Sequence, residues 1–287
     1  MVIGRFRRRP LLLCAAVAFA LLAALLAVGA SQRRFIGTHA APVASVAVSP
    51  DGSLVASGAG DFDIELAELP SGRPRATLRG HRDWVFGLAF SPDGALLASA
   101  SWDWTARLWR VADGATEQLF QHDNLVWDVA FSPDGTTVAT ASEDGNVRLW
   151  RIADGALLNT IPAGGKGVLS VAFAPDGRSV AAGSTDGSVR IWDSARGTSL
   201  RTIGAHNELV FALAYATDGK SLVSGARDGV VRRWNVADGA LVEEFVGHTD
   251  RVFAVAVAPD GRSILSGGED RTVRLWASDA GGELRRS

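Results

Sequence analysis

The chain has 287 residues, with 32 glycines, 10 prolines, five histidines, one cysteine and a formal net charge of −2. One cysteine excludes an intrachain disulfide framework and a cysteine-built zinc site, and so small a net charge gives no field for holding a nucleic-acid backbone, so no nucleic acid is expected as a partner. The glycine content suits short strands and tight turns better than a helical bundle, so an all-β domain is the expected class.

The first element in chain order is a targeting segment, residues 1–30. Arg5, Arg7, Arg8 and Arg9 precede residues 11–30, a run of twenty without a charge. A helix of that length spans about 30 Å, the thickness of a bilayer's hydrocarbon core. Two readings stay open: an uncleaved transmembrane anchor, or a signal peptide cut after Ala30 in Val28-Gly29-Ala30. The length of the apolar run fits the anchor better. With the arginines held inside, the rest of the chain is expected outside the cytoplasm, tethered to the cell membrane or secreted. Cys14 lies within the apolar run and reads as a small apolar residue. Of the 29 basic residues only Lys166 and Lys220 are lysines, a bias that points to a high-GC bacterial genome.

Residues 31–287 repeat one unit six times. A Pro-Asp-Gly turn or its variant places Asp51, Asp93, Asp134, Asp176, Asp218 and Asp260 at intervals of 41 or 42 residues. A second turn carries Asp61, Asp103, Asp144, Asp186, Asp228 and Asp270 in the same register. Trp109, Trp150, Trp192, Trp234 and Trp276 form a third column, with Ala67 in the first unit's place. Within one unit, runs at 85–90, 95–100, 105–110 and 115–120 alternate in hydrophobicity between turn residues. Each unit is therefore expected to be a four-stranded antiparallel meander that must stack on its neighbours to bury its faces.

This pattern, Gly80-His81, Asp103 and Leu108-Trp109 at a period near 42, resembles the WD40 repeat of the β-propeller family over residues 31–287. The resemblance implies a propeller of six four-stranded blades and, in each blade, a hydrogen-bonded tetrad. Four units match it in full: His81-Ser99-Asp103-Trp109, His122-Thr140-Asp144-Trp150, His206-Ser224-Asp228-Trp234 and His248-Ser266-Asp270-Trp276. The first unit keeps His39, Ser57 and Asp61 without a tryptophan, and the fourth has Gly164 and Ala182 where histidine and serine belong. Blades 1 and 4 are accordingly expected to be the loosest.

All five histidines fall in the tetrad column, which leaves none as a general base or metal ligand. The repeated aspartates belong to turns, and no phosphate loop, metal spacing or nucleophile elbow occurs. The chain therefore reads as non-catalytic, with no cofactor and no metal. At the assignable inner-strand positions Ser45, Gly87, Asp128, Ser170, Ala212 and Ala254 there is one acid, and Asp128 beside Trp127 reads as a polar group of the top rim.

In the family, two columns at the start of the first strand face the narrow top of the propeller and commonly carry partner contacts. The first column is Pro42, Trp84, Leu125, Gly167, Leu209 and Arg251, and the second is Ala44, Phe86, Trp127, Leu169, Phe211 and Phe253. Trp102 and Trp104 flank Asp103 on the same face, so the four tryptophans outside the tetrad column all map to the top of units 2 and 3. They either pack together and close the channel mouth or form a binding patch, and clustered exposed aromatics favour the patch. Arg227, Arg251, Glu143 and Glu269 supply a charged rim. The expected function is a scaffold for a protein or peptide partner. A receptor for an envelope glycan is the first alternative, and an enzyme with a site in the channel is the second. Residues 31–36 and 281–287 both align with the outer-strand slot of the last blade, and the N-terminal segment, longer and more apolar, is favoured to fill it.

Overall fold

The structure, a computed structural model, describes residues 39–164 and 167–277, together with the backbone of a strand at Gly282–Arg286. Residues 1–30, read as an anchor or signal, and residues 31–36 lie outside the described residues. Among the described residues no helix is long and apolar enough to cross a membrane.

Six antiparallel sheets follow one another, each made of four strands consecutive in the chain. The second is representative: Val85–Phe90, Leu96–Ser101, Thr105–Arg110 and Thr116–Gln121, within a residue of the runs read from sequence. Alternation sends its side chains to both faces. Leu97 and Trp109 pack on Ile64 and Leu66 of blade 1, while Ala98, Leu108 and Phe120 pack on Val126, Val138 and Trp150 of blade 3. Both faces of a blade are thus buried, which is why successive side chains of the second strand, from Leu97 to Ser101, are all at most 1% exposed although they point to opposite faces.

Five such dry clusters seal the joints from blade 1 to blade 6. Among the described residues no sixth cluster joins blade 6 back to blade 1. Val85, Val126, Val168, Val210 and Val252 are all 0% exposed, whereas Val43, their counterpart in blade 1, is only half-buried. On the facing side Val273 and Leu275 are half-buried too, where Val147 and Leu149 are at most 2% exposed. Ala67, replacing tryptophan, lies on the blade-1 side of this same joint. Amide exchange should therefore be fastest in Val43–Val48 and Val273–Ala277 and slowest in the inner strands of blades 3 and 4, so that blade 4, despite its missing histidine and serine, is held by its buried joint and is not among the loosest. Equal protection around the ring would contradict this assignment.

The outer strand of blade 6 is Gly282–Arg286, paired with Val273–Ala277 through Ala277 opposite Gly282 and Arg274 opposite Arg286. This corrects the expectation that residues 31–36 fill the slot. A strand that follows its partner by a few residues closes a short loop, whereas the N-terminal segment would have to close the whole ring, which carries the larger entropic cost.

Every inner strand carries one irregularity at the same place. Val43 pairs with Ala59 and Ser45 with Gly58, leaving Ala44 as an extra residue. The same shift isolates Phe86, Trp127, Leu169, Phe211 and Phe253. A bulge re-aims the side chain of its extra residue. Here it turns one residue per blade out of the blade joint at the top of the innermost strand.

Candidate functional site

The bulge column coincides with the second top-face column read from sequence, and its aromatic members form two arcs. In blades 2 and 3, Phe86 stacks on Trp102 with ring centroids 4.3 Å apart, and Trp84 stacks on Phe86 at 5.7 Å. Trp127 meets both Phe86 and Trp102 edge-on at 5.1 Å. Offset and edge-to-face contacts are the favoured aromatic geometries, and each adds about 0.5–1.5 kcal/mol beyond area burial. All four residues are half-buried, and Trp84 lies so close over Gly60 that a β-carbon there would come within 2.6 Å of the ring. In blades 5 and 6, Phe211 and Phe253 form a second pair at 5.0 Å. Leu169 is buried, at 4% exposure, and presents little surface.

The two readings of the spare tryptophans therefore each describe part of the site. Trp84, Trp102 and Trp127 pack together with Phe86, while Trp104 stands apart with 49% of its surface exposed. Trp104 occupies a turn position with φ of 70°, held by glycine in three other blades, at Gly145, Gly187 and Gly229. An L-residue in this left-handed region costs of the order of 1 kcal/mol. Trp104→Gly should thus raise stability by about 1 kcal/mol in chemical denaturation while removing the most exposed indole. A destabilised variant would show that the side chain is held by contacts of its own.

The charged rim is paired in part. Arg251 lies 3.3 Å from Glu269, and Arg227 3.9 Å from Glu208. Glu143 has no such partner among the described residues and instead accepts a hydrogen bond from Trp127 Nε1 at 2.8 Å. Burial raises its carboxyl above the usual range, against the lowering effect of that indole N–H. Sequence reasoning placed Glu143 on the rim and missed this contact, because no spacing rule links it to Trp127.

Beneath the rim the tetrads hold the loops. In blade 2, His81 Nδ1 donates to Asp103 at 2.9 Å, its Nε2 accepts from Ser99 Oγ at 2.7 Å, and Trp109 Nε1 donates to Ser99 at 2.8 Å. Blades 5 and 6 repeat the chain through His206, Ser224, Asp228 and Trp234, and through His248, Ser266, Asp270 and Trp276. Burial works to raise the Asp103 carboxyl, but hydrogen bonds from His81 and Thr105 and from the Arg82 N–H outweigh it and hold the group well below the usual carboxylate range. Burial also depresses His81, so its imidazole is neutral.

The third tetrad is a correction. Trp150 Nε1 donates to Thr140 Oγ1 at 3.0 Å, but His122 bonds to neither Thr140 nor Asp144. Arg148 stands between His122 and Asp144, donating to His122 Nδ1 at 2.9 Å and pairing with the carboxylate. That leaves His122 Nε2 buried without a partner. The connection entering this blade is one residue shorter, since Phe120 stands two before His122 where Leu78 and Phe245 stand three before their histidines. Burial, with the Arg148 charge, pushes His122 down to about 3. Arg148 belongs to a third-strand arginine column that sequence reasoning passed over. In blade 4 its member Arg190 pairs with Asp186 at 2.8 Å and reaches toward Gly164, the position that lacks a histidine.

Asp128 is also corrected. Its carboxylate accepts the N–H of Val129 at 2.9 Å and, across the joint to blade 4, the N–H of Val171 at 3.0 Å. It is a blade-joining group rather than part of the rim, and burial pushes it up to about 7 against the two N–H donors. Among the described residues no cluster of three or more histidine, cysteine or carboxylate side chains is placed to hold a metal ion.

Two family models match the chain. One, described as WDR90, 4th beta-propeller, covers residues 125–280, and the other, WD domain, G-beta repeat, covers 30–66 and 72–110. No curated protein matches it. With six four-stranded blades, closed tetrads in blades 2, 5 and 6, and a family model spanning more than half of its 287 residues, the chain belongs to the WD-repeat β-propeller family.

Proposed function

We propose that the protein is a binding scaffold that holds a protein or peptide partner against the aromatic arc of blades 2 and 3. WD40 propellers generally serve as non-catalytic interaction platforms. The observation that carries the reading is the arc itself: three indoles and a phenyl ring stay partly exposed after packing on one another, with Trp104 exposed beside them. Fixed aromatic rings bury a large area while losing little side-chain entropy, which is why they dominate interface hot spots. The uncharged run at 11–30 and its arginine flank support an extracytoplasmic propeller tethered to the membrane, or released if cut after Ala30.

Trp84→Ala combined with Trp127→Ala tests the reading. Chemical crosslinking on intact membranes should yield a discrete partner with the parent chain and at least about tenfold less with the double variant, since each hot-spot truncation removes about 2 kcal/mol or more. Unchanged capture by a double variant with the parent's circular dichroism would overturn it. Capture abolished by soluble oligosaccharide would instead assign the indole faces to a glycan.

A further inference from the structure

We propose that Glu143, with the Trp127 indole beside it, is a subsite for a cationic side chain of the partner, an arginine guanidinium or a lysine ammonium. This deepens the reading of the top face and rests on it.

Glu143 lacks a counterion among the described residues. Its counterpart in blade 6, Glu269, has Arg251 at 3.3 Å, and the exposed Asp123 nearby has Arg148 at 2.9 Å. Glu143 is half-buried and has no basic side chain in reach among the described residues. One carboxylate oxygen accepts the Trp127 N–H at 2.8 Å, and the other accepts nothing from the described residues. The group is pressed against the backbone of Gly167, where a β-carbon would stand 2.7 Å from the carboxylate. It is therefore held in place by its surroundings and keeps an open acceptor.

A partly desolvated carboxylate without a counterion is unfavourable, and a cation that reaches it recovers that loss as well as forming a charge-assisted hydrogen bond. The neighbourhood suits a cation in a second way. Trp127 adjoins Phe86 and Trp102, and aromatic faces attract guanidinium and ammonium groups through their quadrupoles. The arc without Glu143 favours any apolar partner; with it, the favoured partner projects a positive side chain beside its apolar anchor. Lys166 lies outside the described residues, one position from Gly167, and is the cation within this chain against which the proposal is tested.

The experiment uses the full-length chain in detergent with indole nitrogens labelled, and reads the Trp127 N–H resonance, assigned with Trp127→Phe. The probes are N-acetyl-arginine methylamide and N-acetyl-lysine methylamide, with the uncharged N-acetyl-citrulline methylamide as control. The cationic probes should shift the resonance saturably and at least about fivefold more tightly than citrulline, the minimum expected of one charge-assisted contact. Glu143→Gln, which keeps an acceptor for the indole, should abolish the difference. Equal shifts from citrulline, or an undiminished preference in Glu143→Gln, would overturn the proposal. Binding that appears only in Lys166→Gln would assign the carboxylate to Lys166 of this chain and also overturn it. The titration does not depend on the partner, so loss of capture in the Trp84/Trp127 double variant without cation selectivity sinks the subsite alone. Unchanged capture sinks the top-face reading alone.

Discussion

Trp109→Ala should lower the stability of the propeller by about 3–5 kcal/mol, a loss of roughly 10 °C in the unfolding midpoint for a domain of this size. Trp109 is 1% exposed and fills the joint between blades 1 and 2 against Ile64 and Leu66. Its removal opens a cavity there and also strips Ser99 of the N–H donated at 2.8 Å. The His81–Ser99 bond then loses the polarisation that an unbroken chain supplies, and Asp103 is held less firmly at the top turn. Trp109→Phe separates the two effects, since it keeps most of the volume while deleting the hydrogen bond, and should lose only about 1–2 kcal/mol. Urea denaturation of both variants at neutral pH reads the difference. A loss below 1 kcal/mol for Trp109→Ala would show that the joint collapses around the gap.

Two ionisable groups in blade 3 should give opposite pH dependences that mask one another. His122 is pushed down to about 3 from an ordinary value of 6.5, so between those values the unfolded chain binds a proton that the folded chain does not. Its contribution is complete above pH 6.5 and is lost as pH falls. Asp128 is pushed up to about 7 from 3.8, so between those values the folded chain holds the extra proton. Its contribution is complete at low pH and is lost as pH rises. Each slope is about 1.4 kcal/mol per pH unit, and between pH 4 and 6.5 they cancel. Asp128→Ser, which installs the residue found at Ser45 and Ser170, should leave the His122 slope exposed, so that stability falls steeply on acidification. His81, also depressed by burial, adds to that slope. His122→Gln should shift the slope in the opposite direction from Asp128→Ser, leaving only His81 to oppose Asp128. Unfolding midpoints at pH 4.5, 5.5 and 6.5 distinguish these outcomes, and parallel profiles for the parent and both variants would show that neither group is shifted.

Much of this molecule is written in its repeats. Period, strand count and turn positions follow from three registered columns, because each blade solves the same packing problem with the same residues. The two columns at the start of the first strand follow from the same register, and the second of them is a column of bulges. What was not legible depends on contacts between units or on small local departures. The third tetrad matches its motif at four positions, yet one residue fewer before His122 lets Arg148 intervene between histidine and aspartate. Asp128 was assigned by its place in the unit, whereas its partner Val171 lies in the next one. The aromatic arc was predicted as a set of positions, and its stacking of Trp102 on Phe86 depends on the bulge that turns Phe86 out of its strand beside the Trp102 turn. Among the described residues the joint between blades 6 and 1 has no apolar cluster, and the repeats mark it only at Ala67; Val43 and Val273 are apolar like their counterparts but only half-buried.

The claim that the top face is the binding face is tested most directly by site-specific photocrosslinking. A benzophenone amino acid replaces Trp104, exposed beside the aromatic arc, or Asp113, exposed at a turn on the opposite face, in the otherwise full-length chain on intact membranes. The account predicts one discrete adduct from position 104, lost when Trp84 and Trp127 are replaced by alanine, and none from position 113. Adducts from position 113 of equal yield, or an adduct at 104 that survives the double substitution, would contradict it.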